Sequence, residues 1–176
     1  KAVAAVLAVG ALSLAACSSG SDSAEDSGLG LVNDGTLTVC SNLPFQPFEY
    51  VDDNGEYAGF DMDLSREIAA GMGLDWELQN VGFDGLQSGT VLAAGQCDLI
   101  AAAVTITPER EDKRAFSDPY YDSLQSLLVP EGSSVKSLED LAGKKVGVQQ
   151  GTTGETYARE NAGDAEIVSY QSDAEL

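Results

Sequence analysis

The sequence predicts an α/β protein organised around a parallel sheet, and three observations carry that expectation. From residue 37 onward, short β-rich runs alternate with runs whose apolar residues recur at helical spacing, in the order βαβαβ. One β-rich run, CDLIAAAVT (97–105), is apolar almost without interruption, as a strand covered on both faces is. The helical runs end at glycine, Gly73 and Gly95, a residue that leaves a helix without steric cost. Parallel neighbours joined through a helix imply right-handed crossovers.

The first residues, KAVAAVLAVGALSLAACSSGSDSAEDSG, lie outside this pattern. The apolar run 2–14 is short for a bilayer span and stops at small residues, so residues 1–16 read as a signal peptide that begins part-way through its n-region. Leu14-Ala15-Ala16-Cys17 resembles the bacterial lipobox, in which cleavage precedes a cysteine that then carries lipid. Cys17 is therefore the expected lipidation site. Residues 17–36, polar and acidic at their start, are the expected flexible tether.

LTVCS (37–41) is the first strand, and FEYVDDNGEYAGF carries a turn signal at Asp53-Asn54-Gly55 that predicts a small hairpin. In DMDLSREIAAGMG (61–73), Leu64, Ile68 and Met72 share a helical face, with Asp61 as the expected N-cap. That role outweighs metal ligation by Asp61 and Asp63, and no metal site is expected. LDWELQN (74–80) is the second strand, LQSGTVLAAG the second helix and 97–105 the third strand. Thr107 is placed to cap a short helix that Pro108 starts. FSDPYYDSLQSLLVP leaves this unit as a hinge strand running to Val129. After Pro130 the chain reads as helix, strand, loop, helix, strand, with Ser137 as the first cap.

Composition removes several functions. Lys+Arg number 9 against 29 Asp+Glu, a formal net charge of -20, which argues against nucleic acid and against electrostatic docking on anionic lipid. Histidine is absent, so Ser-His-Asp and Cys-His catalysis are excluded within the chain. Once Cys17 is assigned to lipid, Cys40 and Cys97 remain. An exported protein invites their disulfide, yet Cys40 near a carboxyl end and Cys97 at an amino end of adjacent parallel strands make the distance doubtful, so both states stay open.

In open parallel sheets, ligands lie beyond the carboxyl ends of the strands. Ser41, Asn42 and LPFQPFEY follow the first strand to that edge, and Thr105, Thr107 and Arg110 follow the third. Arg110 has the chemistry to grip a carboxylate with two parallel N–H donors. Further on, GVQQGTTGETY repeats a strand, a glycine-containing loop and a helix N-terminus, a place suited to an anion.

The segments PFQPFEY, GFDMDL, CDLIAAAVTITPER and FSDPYY, in this order and spacing, resemble the polar amino-acid-binding proteins of ABC importers, a solute-binding family whose two lobes close like a flytrap. The resemblance runs from residue 37 to the last and implies a two-lobed periplasmic-binding-protein fold. The first lobe would occupy 37–124, the hinge 125–130, and an incomplete second lobe 131–176, without the later aspartate that in this family binds the α-ammonium.

The resemblance also implies roles. Arg110 would hold the ligand's α-carboxylate, Thr105 its backbone groups, the Ala103 carbonyl its ammonium, and Phe45 and Phe83 would sandwich its side chain. Thr152 and Thr153 would contribute from the second lobe. Phe48 reads as core and Glu49 as rim or solvent. Asn42, where members that bind basic amino acids commonly carry an acid, points to a neutral polar ligand of the glutamine type, with acidic amino acids next and basic ones last. The implied protein is a monomeric, lipid-anchored, extracytoplasmic binder that presents an amino acid to an ABC permease. It uses no cofactor, is not an enzyme and does not bind nucleic acid. A prephenate-type dehydratase on the same scaffold and the ligand-sensing input domain of a membrane receptor are the alternatives.

Overall fold

The computed structural model describes residues 28–176, so the expected signal peptide, Cys17 and most of the tether lie outside the described residues. The end of the expected tether is not free: Leu31 packs on the core, the Val32 N–H donates to Asp98 Oδ1 at 2.7 Å, and Asn33 bridges to Thr36.

The central strand β1 (Thr36–Ser41) is buried along nearly its whole length because neighbours cover both of its edges and both faces. It pairs in parallel with β4 (Asp75–Asn80) from Thr36↔Asp75 to Ser41↔Asn80, and with β5 (Leu99–Ile100) at Val39↔Leu99 and Cys40↔Ile100. Between β1 and β4 come the hairpin β2 (Tyr50–Val51) and β3 (Tyr57–Ala58), whose turn is held by Asp52 accepting from the Asn54 and Glu56 N–H groups, and then α1 (Phe60–Met72). The predicted cap of α1 is corrected: the N-cap is Gly59, and Asp61 lies inside the first turn. Gly59 sits at φ 119° against the Phe48 carbonyl, where a Cβ would collide.

The second predicted helix is two short ones, α2 (Phe83–Ser88) and α3 (Thr90–Ala93), because Gly89 enters the left-handed region at φ 77°. Arg114 seals that break by donating to the Leu86 and Gln87 carbonyls at 2.7 and 3.0 Å, a cation at a helix C-terminus. The third predicted strand is far shorter than 97–105. Its last ladder bond is Ala101 N–H to the Cys40 carbonyl, after which the chain turns away at Ala103. Short helix α4 (Pro108–Glu111) follows, with Thr107 as its N-cap.

Cys40 and Cys97 are joined in a disulfide with their Cα atoms 5.8 Å apart. The distance closes because Cys97 precedes β5 instead of lying on it, and packs with Phe83, Leu86 and Val91 on the side of β1 to which Cys40 points. Leu37, Val39 and Ala69 form a second core with Leu74 and Trp76.

No regular strand runs through 115–130, so the expected hinge strand is an extended segment without ladder pairing. Beyond it, β6 (Lys145–Gln149) and β7 (Glu166–Tyr170) pair in parallel around α5 (Thr153–Asn161), with Val135, Leu141 and Ala162 as their core. The helix predicted after Pro130 is a single 3-10 turn at Glu139–Leu141. Ser137 is not its cap: the N-cap is Leu138, which makes no side-chain cap bond, and Asp140 inside the turn accepts from the Lys136 and Ser137 N–H groups that precede it.

Candidate functional site

The carboxyl ends of β1 and β5 face the carboxyl end of β6, and Arg110 lies between them, only 5% exposed. Its position follows from the local sequence. Thr107 accepts the Arg110 N–H, Pro108 opens the turn, and the side chain folds back so that Nη1 donates to the Thr105 carbonyl at 2.8 Å. Nη2 donates across to the Gly151 carbonyl at 3.0 Å. The Phe83 ring lies 5.9 Å from the guanidinium carbon. Burial pulls the arginine pKa down, with the Arg114 charge adding to the effect and Glu109 opposing it. An arginine remains a cation through such a shift. These bonds commit two of its five N–H donors and leave three.

A cleft of about 530 Å³ opens here, lined by Arg110, Gln87, Thr107, Thr152, Thr153 and Tyr157 among others, a size suited to a small molecule. Three further bonds join the second unit to earlier parts of the chain. Thr105 and Thr153 place their hydroxyls 3.2 Å apart, Gln149 Nε2 donates to Asn42 Oδ1 at 2.8 Å, and Gln125 Nε2 donates to Thr153 Oγ1 at 3.3 Å.

The other residues expected at the site divide. Asn42 donates to the Val81 carbonyl at 2.7 Å while accepting from Gln149, so both ends of its amide have protein partners. Thr152 is the N-cap of α5, accepting from the Glu155 N–H, and its own hydroxyl donates to the Gln149 carbonyl. Glu155 in turn accepts the Gly151 N–H at 2.7 Å, so part of the anion-binding capacity of this helix start is already used. Phe45 is exposed and stacks on Phe48 at 5.8 Å, while Phe83 belongs to the core cluster beneath the arginine. Phe48 is half-buried, with Tyr121 edge-on to it.

Ala103 takes the left-handed conformation at φ 43°, and its N–H donates to Asp61 Oδ2 at 2.6 Å. Glu49 is neither rim nor solvent-facing: it is 1% exposed, and burial, reinforced by the Asp61 charge, pushes its pKa up to about 9. Burial also raises Asp61, against the hydrogen bonds from Ala103 and Tyr120.

Gln149, Gly151 and Gln125 were not anticipated as site residues. Gln149 ends β6 just as Asn42 follows β1, so the carboxyl-end rule would have found it. Nothing local in the sequence marks Gln125.

Two α/β units meet at strand carboxyl ends over a buried arginine, beside a cleft of small-molecule size. Comparison with known proteins gives its kind. Residues 37–172 match the bacterial extracellular solute-binding proteins, family 3. A probable histidine-binding protein of Neisseria gonorrhoeae is 38% identical over 155 residues, covering 87% of this chain and 56% of its own length. Among solved structures, the ancestral amino acid-binding protein AncCDT-1, a precursor of cyclohexadienyl dehydratase, superposes with a TM-score of 0.76 at 39% identity, over 80% of this chain and 63% of that one. An ancestral arginine-binding protein bound to glutamine gives a TM-score of 0.76 at 40% identity, over 81% of this chain and 63% of that one. The chain belongs to this solute-binding family, whose members are extracellular or periplasmic, and it spans about half the length of the curated relatives it matches.

Proposed function

We propose that this chain supplies the carboxylate-gripping part of the substrate-binding component of an amino-acid ABC importer. In this reading a polar amino acid is captured between a first lobe (37–124) and a second lobe that begins at 131, with 125–130 as the hinge, and is presented to a permease. The observation that carries it is Arg110, a buried cation in a strongly anionic chain, set between carbonyl groups of both units.

The ligand's α-carboxylate takes the free donors of Arg110. Thr105 and Thr153, whose hydroxyls already meet, contact the amino acid from opposite sides. Thr152 acts through the cap it forms, fixing the loop that carries Gly151. The Ala103 carbonyl accepts from the ammonium, and Phe45 and Phe83 bound the side-chain space, with Asn42 at its far end. Because Asn42 stands there in place of a carboxylate, a neutral polar side chain of the glutamine type is favoured over a basic one, whose buried charge would lack a partner. Cys17 carries the lipid that holds this monomeric binder at the outer face of the membrane.

Calorimetric titration of the full-length protein with the twenty L-amino acids tests the reading. Binding of one or a few polar amino acids is expected, with glutamine at least tenfold tighter than arginine or lysine. No binding of any amino acid would sink the function, and a reversed preference would sink the ligand assignment. Replacing Cys17 with Ser is expected to move the protein from the membrane to the soluble fraction.

A further inference from the structure

Asp61 is fully buried at the start of α1, yet it is not the helix cap and has no place in the binding scheme above. Its carboxylate is occupied from two distant parts of the chain. Oδ2 accepts the Ala103 N–H at 2.6 Å, and both oxygens lie 3.0 Å from the Tyr120 hydroxyl, which donates to them. Tyr120 is itself held by stacking on Phe60, the neighbour of Asp61, at 5.8 Å.

Ala103 is the one non-glycine residue at positive φ among the described residues, and it stands where the chain abandons the sheet. The last ladder bond is made by the Ala101 N–H, so the Ala103 N–H has no strand partner and turns to the carboxylate instead. A short charge-assisted bond of this kind is what offsets a left-handed alanine. Two residues on, the Thr105 carbonyl fixes Nη1 of Arg110. An unbroken series of contacts therefore runs from Asp61 through Ala103 and Thr105 to the arginine.

Given the reading of Arg110 and Thr105 as ligand-binding groups, we propose that Asp61 is a positioning residue for amino-acid binding: it holds Ala103 in the left-handed turn that aims Thr105 and Arg110, and Tyr120 braces it from the chain leaving the first unit. If the carboxylate is lost, Ala103 relaxes toward negative φ and the segment that anchors the guanidinium swings. Glu49, the other acid in this cluster, is pushed by burial to a pKa of about 9 and keeps its proton at neutral pH.

The test is calorimetry on the full-length protein with whichever of the twenty L-amino acids the wild type binds most tightly. Asp61→Asn keeps the shape and loses the charge, and is expected to weaken binding by roughly tenfold or more. Adding Ala103→Gly to Asp61→Asn is expected to recover part of that loss, since glycine holds positive φ unaided. A merely structural role for Asp61 gives no such recovery. Asp61→Asn binding within about twofold of wild type, or a loss that Ala103→Gly does not recover, overturns the proposal. If Asp61→Asn does not fold, Tyr120→Phe decides: a loss of about threefold or more supports the proposal, and a smaller one overturns it. Arg110→Ala in the same series separates the two claims, because unchanged affinity there removes the ligand-binding reading itself, whatever Asp61 does.

Discussion

Arg110 and Glu49 are both charged residue types taken out of water, and their surroundings resolve the cost in opposite ways. Arg110 keeps its charge because carbonyls of both units and an aromatic face surround it. Its planar fork reaches two acceptors in different directions and, in the proposed function, offers further donors to the ligand's carboxylate, which a lysine ammonium cannot reproduce. Arg110→Lys is therefore expected to keep the net charge and still lose about tenfold or more in affinity, as read by calorimetry; equal affinity would mean that only charge matters at this position. Glu49 is instead neutral. Its pKa rises from 4.5 to about 9, so in that window the folded protein holds a proton that the unfolded chain has released. Stability contributed in this way is full below the unfolded value and is lost as pH rises through the folded one. Glu49→Gln, which is neutral at every pH, is expected to lose less melting temperature than wild type between about pH 5 and pH 9. An identical slope in both would show that Glu49 does not titrate as its burial requires.

At the scale of elements, what could be read from sequence and what could not divide along local and long-range causes. The strands at 37–41 and 74–80 were legible because β-rich runs bounded by turn residues report on their own conformation. Thr107 as a cap was legible for the same reason, since its partner is three residues away. The third strand was overextended because an apolar run does not say whether it continues a ladder or turns beneath a helix, and its end is set by Asp61, 42 residues distant. The assignment of Asp61 as an N-cap failed likewise: the local rule was satisfied, and the competing partners Ala103 and Tyr120 lie far along the chain. The disulfide depended on how far β5 extends, which alternation of residue types does not reveal. Joining Cys40 to Cys97 across a separation of 57 residues restricts the unfolded chain, and its removal is expected to cost about 2–4 kcal/mol. Thermal melts with and without reductant, and of Cys40→Ala/Cys97→Ala, check this; coincident melts would show that the bond contributes nothing to stability.

For the whole molecule, the contacts that join the two units involve several of the groups proposed to bind the ligand. Arg110 to Gly151, Thr105 to Thr153 and Asn42 to Gln149 all join residues before the extended 115–130 segment to residues after it. Under the proposed function a carboxylate there takes donors from Arg110 and couples the units through a shared charge, so affinity is expected to depend on both at once. Arg110, Thr105 and Thr153 were legible as candidates because each follows a β-rich run or opens a helix, whereas the contacts of Gln149 and Gln125 exist only once the units meet. The most direct measurement is a calorimetric cycle on the full-length protein, titrating wild type and Arg110→Ala with the preferred amino acid and with its α-carboxamide. The account predicts that wild type binds the amide more weakly by about 2–5 kcal/mol and that Arg110→Ala loses most of this discrimination. Equal binding of acid and amide by wild type, or full discrimination retained without the arginine, would contradict it.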